Sequence, residues 1–335
     1  MQTPFAKSIS TVEKYEKLQD VVASGDRLAI LINADPDALA SALALQRLFW
    51  RKTELMHIYR INQIDRADNL AFTRLLDIPH RHIRQFKASA YDKLALVDSQ
   101  PSHNTHFGRL NFDIIIDHHP VTDGLDAAFI DIKADYGANA TLMTEYLKAA
   151  KVKPSPRLAT ALFCAIKTDT DNFVRPTVSQ DVIAFRYLYE FVNLNIVKKI
   201  ESSEITRDTL AQYQKAMQRL AVVDQCAVVY MGEVKKPDIL VQMADFFLKM
   251  AEASGSVAAG IHDDSLILVL RNADFKRNAG KIAKDLFGKW GSAGGHKDSA
   301  RAEIPLENLD CGGRRDNGCR QYVLQQVRRI SRQAK

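Results

Sequence analysis

The strongest constraint on this chain is a pattern repeated along its first third, a short apolar run that ends at aspartate. Leu28-Ala29-Ile30-Leu31-Ile32 stands between Gly25-Asp26 and the polar cluster Asn33-Ala34-Asp35-Pro36-Asp37. Five apolar residues without alternation, bounded by turn formers, read as a strand buried on both faces, as in parallel sheets. From 38 to 50, Leu39, Leu43, Leu45, Leu48 and Phe49 recur at helical spacing. Strand, polar turn and helix open a βα unit, and the pattern returns. Residues 55–61 read as a strand and 69–76 as a helix; 93–97 form a strand ending at Asp98, and 112–116 one ending at Asp117. A helix over 9–23 precedes them. Strands interleaved with helices predict an α/β fold with a doubly wound, mainly parallel sheet.

Residues 139–220 read mainly as helix, with breaks at Lys153-Pro154-Ser155-Pro156 and Arg175-Pro176. A smaller α/β pattern begins near Val222. It has a strand over 227–230, a helix over 239–250, a hairpin of 257–261 and 265–270 around His262-Asp263-Asp264, and a helix over 278–290. The expected organisation is a first domain over 1–200, a helical linker over 201–221, and a second domain over 222–335. A chain of 335 residues suits two cores rather than one.

Composition narrows the class. With 46% apolar and 26% charged residues the chain reads as soluble and globular. No apolar stretch approaches the roughly 20 residues that span a bilayer. Residues 1–20 are polar, without a signal-peptide core, so a cytoplasmic protein is expected. Cys164, Cys226, Cys311 and Cys319 are too scattered for a zinc knuckle and are expected to be reduced. The net charge of +6 suits a polyanionic ligand. Much of it lies in a tail with Arg314, Arg315, Arg320, Arg328, Arg329, Arg332 and Lys335, where a solvated helix face is the plainer reading.

The carboxylates fall at the places where open α/β sheets bind ligands, outside the carboxyl ends of strands. Asp35 and Asp37 follow the first strand, Asp98 ends a later one, and Asp117-His118-His119 ends the next. Asp169, after the apolar stretch 162–166, can join them. Carboxylates packed this closely repel one another, and divalent cations resolve the repulsion. Mixed Asp/His ligation suits manganese, with magnesium or iron as alternatives. Each piece has a bland counterpart. Asp-x-Asp after a strand is often only a turn and helix cap, and one strand-ending aspartate means little. Two adjacent imidazoles after Phe-Asp-Ile-Ile-Ile have no evident packing role, and the combination in this order favours a metal centre.

Asn33-Ala34-Asp35-Pro36-Asp37-Ala38, Val97-Asp98-Ser99, Ile116-Asp117-His118-His119-Pro120 and Thr168-Asp169-Thr170 resemble the four motifs of the DHH phosphoesterases. Gly294-Gly295-His296 resembles the signature of the DHH-associated substrate-binding domain, and Arg271 stands where relatives hold substrate phosphate. The likeness is strongest to the bacterial nanoRNase group. It implies a metal-dependent phosphodiesterase, acting on short oligoribonucleotides or dinucleotides in a cleft between its domains. It further implies two manganese ions, with Asp98 bridging, Asp35 serving the first, and Asp37, His118 and Asp169 serving the second. His119 would act on the substrate phosphate, which Arg271, Gly294, Gly295 and His296 would grip. No membrane partner is implied, and a homodimer stays open.

Two departures motivate alternatives. Relatives place a histidine four residues before the first aspartate, where this chain has Leu31, which weakens the first metal site. Ala293 replaces a third glycine, and Arg301 stands where glycine is usual, so that it either crowds the pocket or adds a phosphate contact. A phosphomonoesterase acting on phosphoadenosine phosphate, a polyphosphatase, or a catalytically impaired nucleotide sensor are the competing readings.

Overall fold

The computed structural model describes residues 10–202, 207–274, 277–309 and 315–332, and the chain divides into two units, Met1–Glu204 and Ile205–Lys335. Cys311, Arg314, Lys335, Phe275 and the expected helical start at Ile9 lie outside the described residues.

The first unit opens with α1 (Thr11–Val21), capped by a reciprocal pair between Ser10 and Glu13. β1 (Arg27–Ile32) follows, then α2 (Pro36–Phe49), β2 (Leu55–Arg60), α3 (Ala67–Leu75), β3 (Arg81–His82), β4 (Lys93–Val97), β5 (Ile114–Asp117) and β6 (Phe129–Ile132). Helices α4 (Asn139–Ala149), α5 (Pro156–Asp169), α6 (Ser179–Tyr189) and α7 (Leu194–Glu201) complete it. The strands pair in the order β3-β2-β1-β4-β5-β6, and every pairing is parallel. The order reverses between β1 and β4, which makes their carboxyl ends the switch point of the sheet.

Burial of β1 on both faces explains its unbroken apolar run. Leu28, Ile30 and Ile32 join the core formed with α2, α4 and α5, while Ala29 and Leu31 face the other side. Each such side chain contributes ~1.5–3 kcal/mol by leaving water. That second face is packed by Tyr59, Phe107, Phe112 and Ile115, with Ile83, Phe86 and Tyr91 from short 3₁₀ turns. Helices thus gather on one face, and compact connections seal the other.

The second unit has α8 (Arg207–Arg219), β7 (Ala221–Val223), β8 (Cys226–Glu233), α9 (Asp238–Leu248), β9 (Gly255–His262), β10 (Ser265–Asn272), α10 (Ala279–Phe287), β11 (Ser292–Gly295), β12 (Ser299–Pro305) and α11 (Arg315–Arg332). Its sheet runs β11-β12-β10-β9-β8-β7, antiparallel except for the β8–β9 pair. One face packs on α10 and α11 through Leu266, Leu268, Phe287, Val323 and Val327. The other packs on α8 and α9 through Ala216, Leu240, Met243 and Phe247. The expected hairpin is β9–β10. Gly294 and Gly295 lie in β11 and pair with Arg301 and Ala300. Cys164, Cys226 and Cys319 are free thiols. No helix among the described residues is long and apolar enough to cross a membrane.

Candidate metal centre

Three strand ends and two helix ends deliver the polar residues of the first unit. Asp35 caps α2, its carboxylate accepting the Ala38 N–H at 2.8 Å. The bland reading of this aspartate therefore holds, and it leaves the second carboxylate oxygen for other work. Asp37 is buried in the first turn of α2 and accepts the backbone N–H groups of Asn139 (2.6 Å) and Ala140 (2.8 Å) at the start of α4. Asp98 follows β4 in a left-handed conformation, φ 57°, which aspartate tolerates better than most residues. Its N–H donates to Ile116 O at 2.8 Å, so the turn is tied to β5. Asp169 ends α5, and Arg175 reaches back to its carbonyl at 3.2 Å.

His118 gathers these groups. Its Nδ1 lies 3.0 Å from Tyr136 O and, facing a carbonyl, must carry the proton of a neutral ring. Nε2 then presents its lone pair 3.1 Å from Asp169, 3.5 Å from Asp98 and 3.8 Å from Asp37. Ligand atoms about 2.1 Å from one cation stand about 3.0–3.4 Å apart in octahedral or tetrahedral geometry, a spacing that Asp169 meets, Asp98 nearly meets and Asp37 exceeds. Asp98 Oδ1 is buried and has no hydrogen-bond partner. Such an atom costs free energy unless a cation or a proton meets it.

Electrostatics show the same shortage of positive charge. Burial, with Asp169 nearby, pushes Asp37 up to about 8. Burial likewise pushes Asp35 up to about 6. Asp98 is driven well above the carboxylate range by burial and by Asp37 and Asp35. Burial opposes protonation of His118, yet the hydrogen bond to Asp169 and the charge of Asp37 outweigh it and raise it to about 10. Without a metal the cluster holds itself together with protons.

Asp117 serves differently. It accepts from His119 Nδ1 (2.8 Å), His118 N (2.8 Å) and Gln100 Nε2 (2.6 Å). Burial favours the protonated carboxyl, but these bonds prevail and hold Asp117 below its ordinary value. His119 is raised in return, chiefly by the Asp117 bond. Gln100, fully buried, also donates to Pro120 O (3.1 Å) and accepts from Thr122 N and Oγ1 (2.8 Å each), pinning the histidine loop. Neither Gln100 nor the carbonyl of Tyr136 was visible as functional in the sequence. A polar residue after Val97-Asp98-Ser99 was the only trace of Gln100.

In the second unit, Arg271 near the end of β10 donates from Nε to Asp245 Oδ1 at 2.6 Å. Ser299 pairs with Arg271 across the sheet and accepts the His296 N–H at 2.7 Å. Gly280 N, at the start of α10, donates to His296 O at 2.8 Å, so Arg271 and the glycine hairpin are built into one frame. A Cβ at Gly295 would stand 2.3 Å from Ser299 O, whereas one at Gly294 would meet nothing within 4 Å. Arg301 pairs with Val269 and Gly294 and binds Glu303 at 3.0 Å on the exposed side of β12.

Residues 27–166 match the DHH family, N-terminal domain. That match lies within the first unit. An uncharacterized protein of Methanocaldococcus jannaschii is 36% identical over 294 residues, 88% of this chain and 60% of that protein. A probable manganese-dependent inorganic pyrophosphatase of Deinococcus radiodurans is 26% identical over 155 residues, 45% of this chain and 48% of that protein. The chain thus spans about half to three fifths of the length of these relatives. The crystal structure of an exopolyphosphatase-related protein from Bacteroides fragilis superposes with a TM-score of 0.75 at 13% identity, over 98% of this chain and all of that one, a likeness of fold.

Within the first unit the sequence motifs converge as geometry. Asp37, His118 and Asp169 each place a ligand atom within 4.8 Å of the others, and so do Asp98, His118 and His119. Asp35 senses the charges of Asp169 and His119. Leu31 turns the opposite way, into the apolar face with Tyr59 and Leu96, so position 31 is committed to packing. His103 was not anticipated. It faces His119 edge-on, with ring centroids 5.4 Å apart.

Proposed function

We propose that the chain is a metal-dependent phosphoesterase that hydrolyses phosphodiester bonds of short oligoribonucleotides or dinucleotides. The observation that carries the reading is the buried, unpartnered Asp98 Oδ1, 3.5 Å from the His118 Nε2 that also faces Asp37 and Asp169. Asp37, Asp98, His118 and Asp169 would hold one divalent ion, and Asp35 with Asp98 a second. Manganese is favoured by the Asp/His donor set and by the name of the Deinococcus relative. Such ions supply a water of lowered pKa and neutralise charge on phosphate oxygens.

The chain's own residues do the rest. Tyr136 O fixes the His118 tautomer, a partner that typically matters about 10–100-fold in metal affinity or activity. The bond to Asp117 raises His119 above its ordinary value, which favours the charged form that would donate to the phosphate or protonate the leaving oxygen. The open approach to Gly294 and the guanidinium of Arg271 support a role for the second unit in holding a nucleotide phosphate. Release of Arg271 from Asp245 would accompany that contact.

The deciding experiment measures cleavage of a 5′-labelled diribonucleotide with manganese, with magnesium and with chelator, beside Asp98→Ala. Manganese-dependent cleavage that drops roughly 10³-fold in the variant, ~4 kcal/mol of barrier, is the expected result. Turnover that survives Asp98→Ala would sink the assignment. A second reading, hydrolysis of pyrophosphate or polyphosphate, is favoured by the names of two similar proteins, and equal rates on pyrophosphate and the dinucleotide would support it.

A further inference from the structure

His103 lies outside the four motifs, and the roles assigned so far do not use it. It ends a 3₁₀ turn, Pro101–His103, directly after Asp98-Ser99-Gln100. An exposed loop histidine is ordinarily a solvated side chain. This one is pinned. Its Nδ1 accepts the Gln100 backbone N–H at 3.2 Å and lies 3.3 Å from Ser99 Oγ. A backbone N–H only donates, so Nδ1 carries the lone pair and a neutral ring carries its proton on Nε2. Gln100 in turn is locked to Asp117, so the turn that carries His103 and the loop that carries His119 form one frame.

His103, Asp117 and His119 also lie close enough to hold a cation. Their hydrogen bonds argue against it. Three donors already occupy Asp117, His119 Nδ1 is spent on that carboxylate, and His103 Nδ1 is spent on Gln100. Two imidazole Nε2 atoms remain. The tautomer of His103 makes its Nε2 an N–H donor, and its ring centroid lies 5.4 Å from that of His119. A fixed donor on an exposed ring, next to His119 and to carboxylates that suit a cation, suits an anion bound to that cation.

We infer that His103 is a second phosphate-binding residue, whose Nε2–H donates to a nonbridging oxygen of the phosphate that His119 contacts. The inference rests on the hydrolase reading of the same site and adds a residue from outside the four motifs. The contact belongs to the phosphate itself, so it strengthens binding of substrate and of inorganic phosphate alike.

The test uses the full chain loaded with Mn²⁺ and titrated with inorganic phosphate, for the unaltered protein, His103→Ala and His103→Gln. His103→Ala is expected to weaken phosphate binding about tenfold, the scale of one hydrogen bond to a charged group. Mn²⁺ binding, followed by the paramagnetic signal of free ion, is expected to stay unchanged. His103→Gln, which restores an N–H donor, is expected to recover much of the affinity. Unchanged phosphate affinity in His103→Ala would overturn the inference, and so would loss of one equivalent of Mn²⁺, which would make His103 a metal ligand. Failure of the unaltered, metal-loaded protein to bind phosphate would overturn it too. His103-dependent phosphate binding without turnover of any ester would uphold the contact while defeating the hydrolase reading.

Discussion

At the scale of single residues, the name-giving triplet divides its labour by hydrogen bonding rather than by residue type. His118 spends Nδ1 on a carbonyl and offers Nε2 to the carboxylates, while His119 spends Nδ1 on Asp117 and offers Nε2 outward. A carbonyl fixes the tautomer that leaves Nε2 as the ligand atom, and a carboxylate raises its histidine above the ordinary imidazole value. Asp117→Asn separates the two roles, since asparagine keeps the shape and loses the charge. The His119 imidazole, raised chiefly by its Asp117 bond, is expected to fall back toward its ordinary value, read by NMR titration of the histidine resonances. Activity is expected to drop roughly 10–100-fold, the usual cost of removing an outer partner in such a site. Mn²⁺ binding through His118 is expected to persist. A His119 titration that does not move would show that Asp117 acts only as a brace.

At the scale of elements, the two glycines of β11 carry opposite expectations. Gly295 has φ 150°, and an added Cβ would collide with Ser299 O and with Ala300 of β12. Gly295→Ala is therefore expected to destabilise the second unit by ~1–3 kcal/mol, seen in denaturant melts. Gly294→Ala meets open space, so it is expected to fold normally and to weaken nucleotide binding if the backbone approaches phosphate there. Normal binding by a folded Gly294→Ala would remove this strand from the site. These glycines also mark what the sequence disclosed. The parallel sheet was legible because β1, β4 and β5 carry unbroken apolar runs, and the aspartates that follow those runs announce where each strand stops. β11 was not, because two small residues without alternation read equally as a turn, and only pairing with β12 makes them a strand. β6 escaped notice as four residues at a sheet edge. The candidate ligands were legible for a chemical reason, since Asp and His in series have few structural uses. Their supports were not. The amides of Asn139 and Ala140 reach Asp37 across about a hundred residues, and backbone groups leave no mark in a sequence.

For the molecule as a whole, the cluster makes stability depend on metal and pH in one direction. Asp35 and Asp37 titrate near 3.8 when exposed, but at about 6 and about 8 in the folded chain. His118 moves from 6.5 to about 10. In each case the folded, metal-free chain binds protons that the unfolded chain has released. Stability contributed by those protons is present below the unfolded values and lost as pH rises through the folded ones. Between pH 6 and pH 9 Asp37 and His118 act with the same sign, so the chain in chelator is expected to melt at lower temperature as pH rises. Divalent metal replaces the protons and binds more tightly as they leave. Ion at a hundred times its Kd adds about 2.7 kcal/mol, which for a unit near 200 residues is roughly 5–10 °C in Tm. The second unit has its own cores and none of these ligands, so its transition is expected to stay in place when metal is added. Calorimetry at pH 6 and pH 9, with EDTA and with Mn²⁺, checks both halves. A gap between the metal-bound and chelated transitions that widens with pH, confined to one unit, is what a proton-for-metal exchange at this cluster requires. A gap that narrows toward pH 9 would mean that the carboxylates are already ionised and that the metal, if it binds, is held elsewhere.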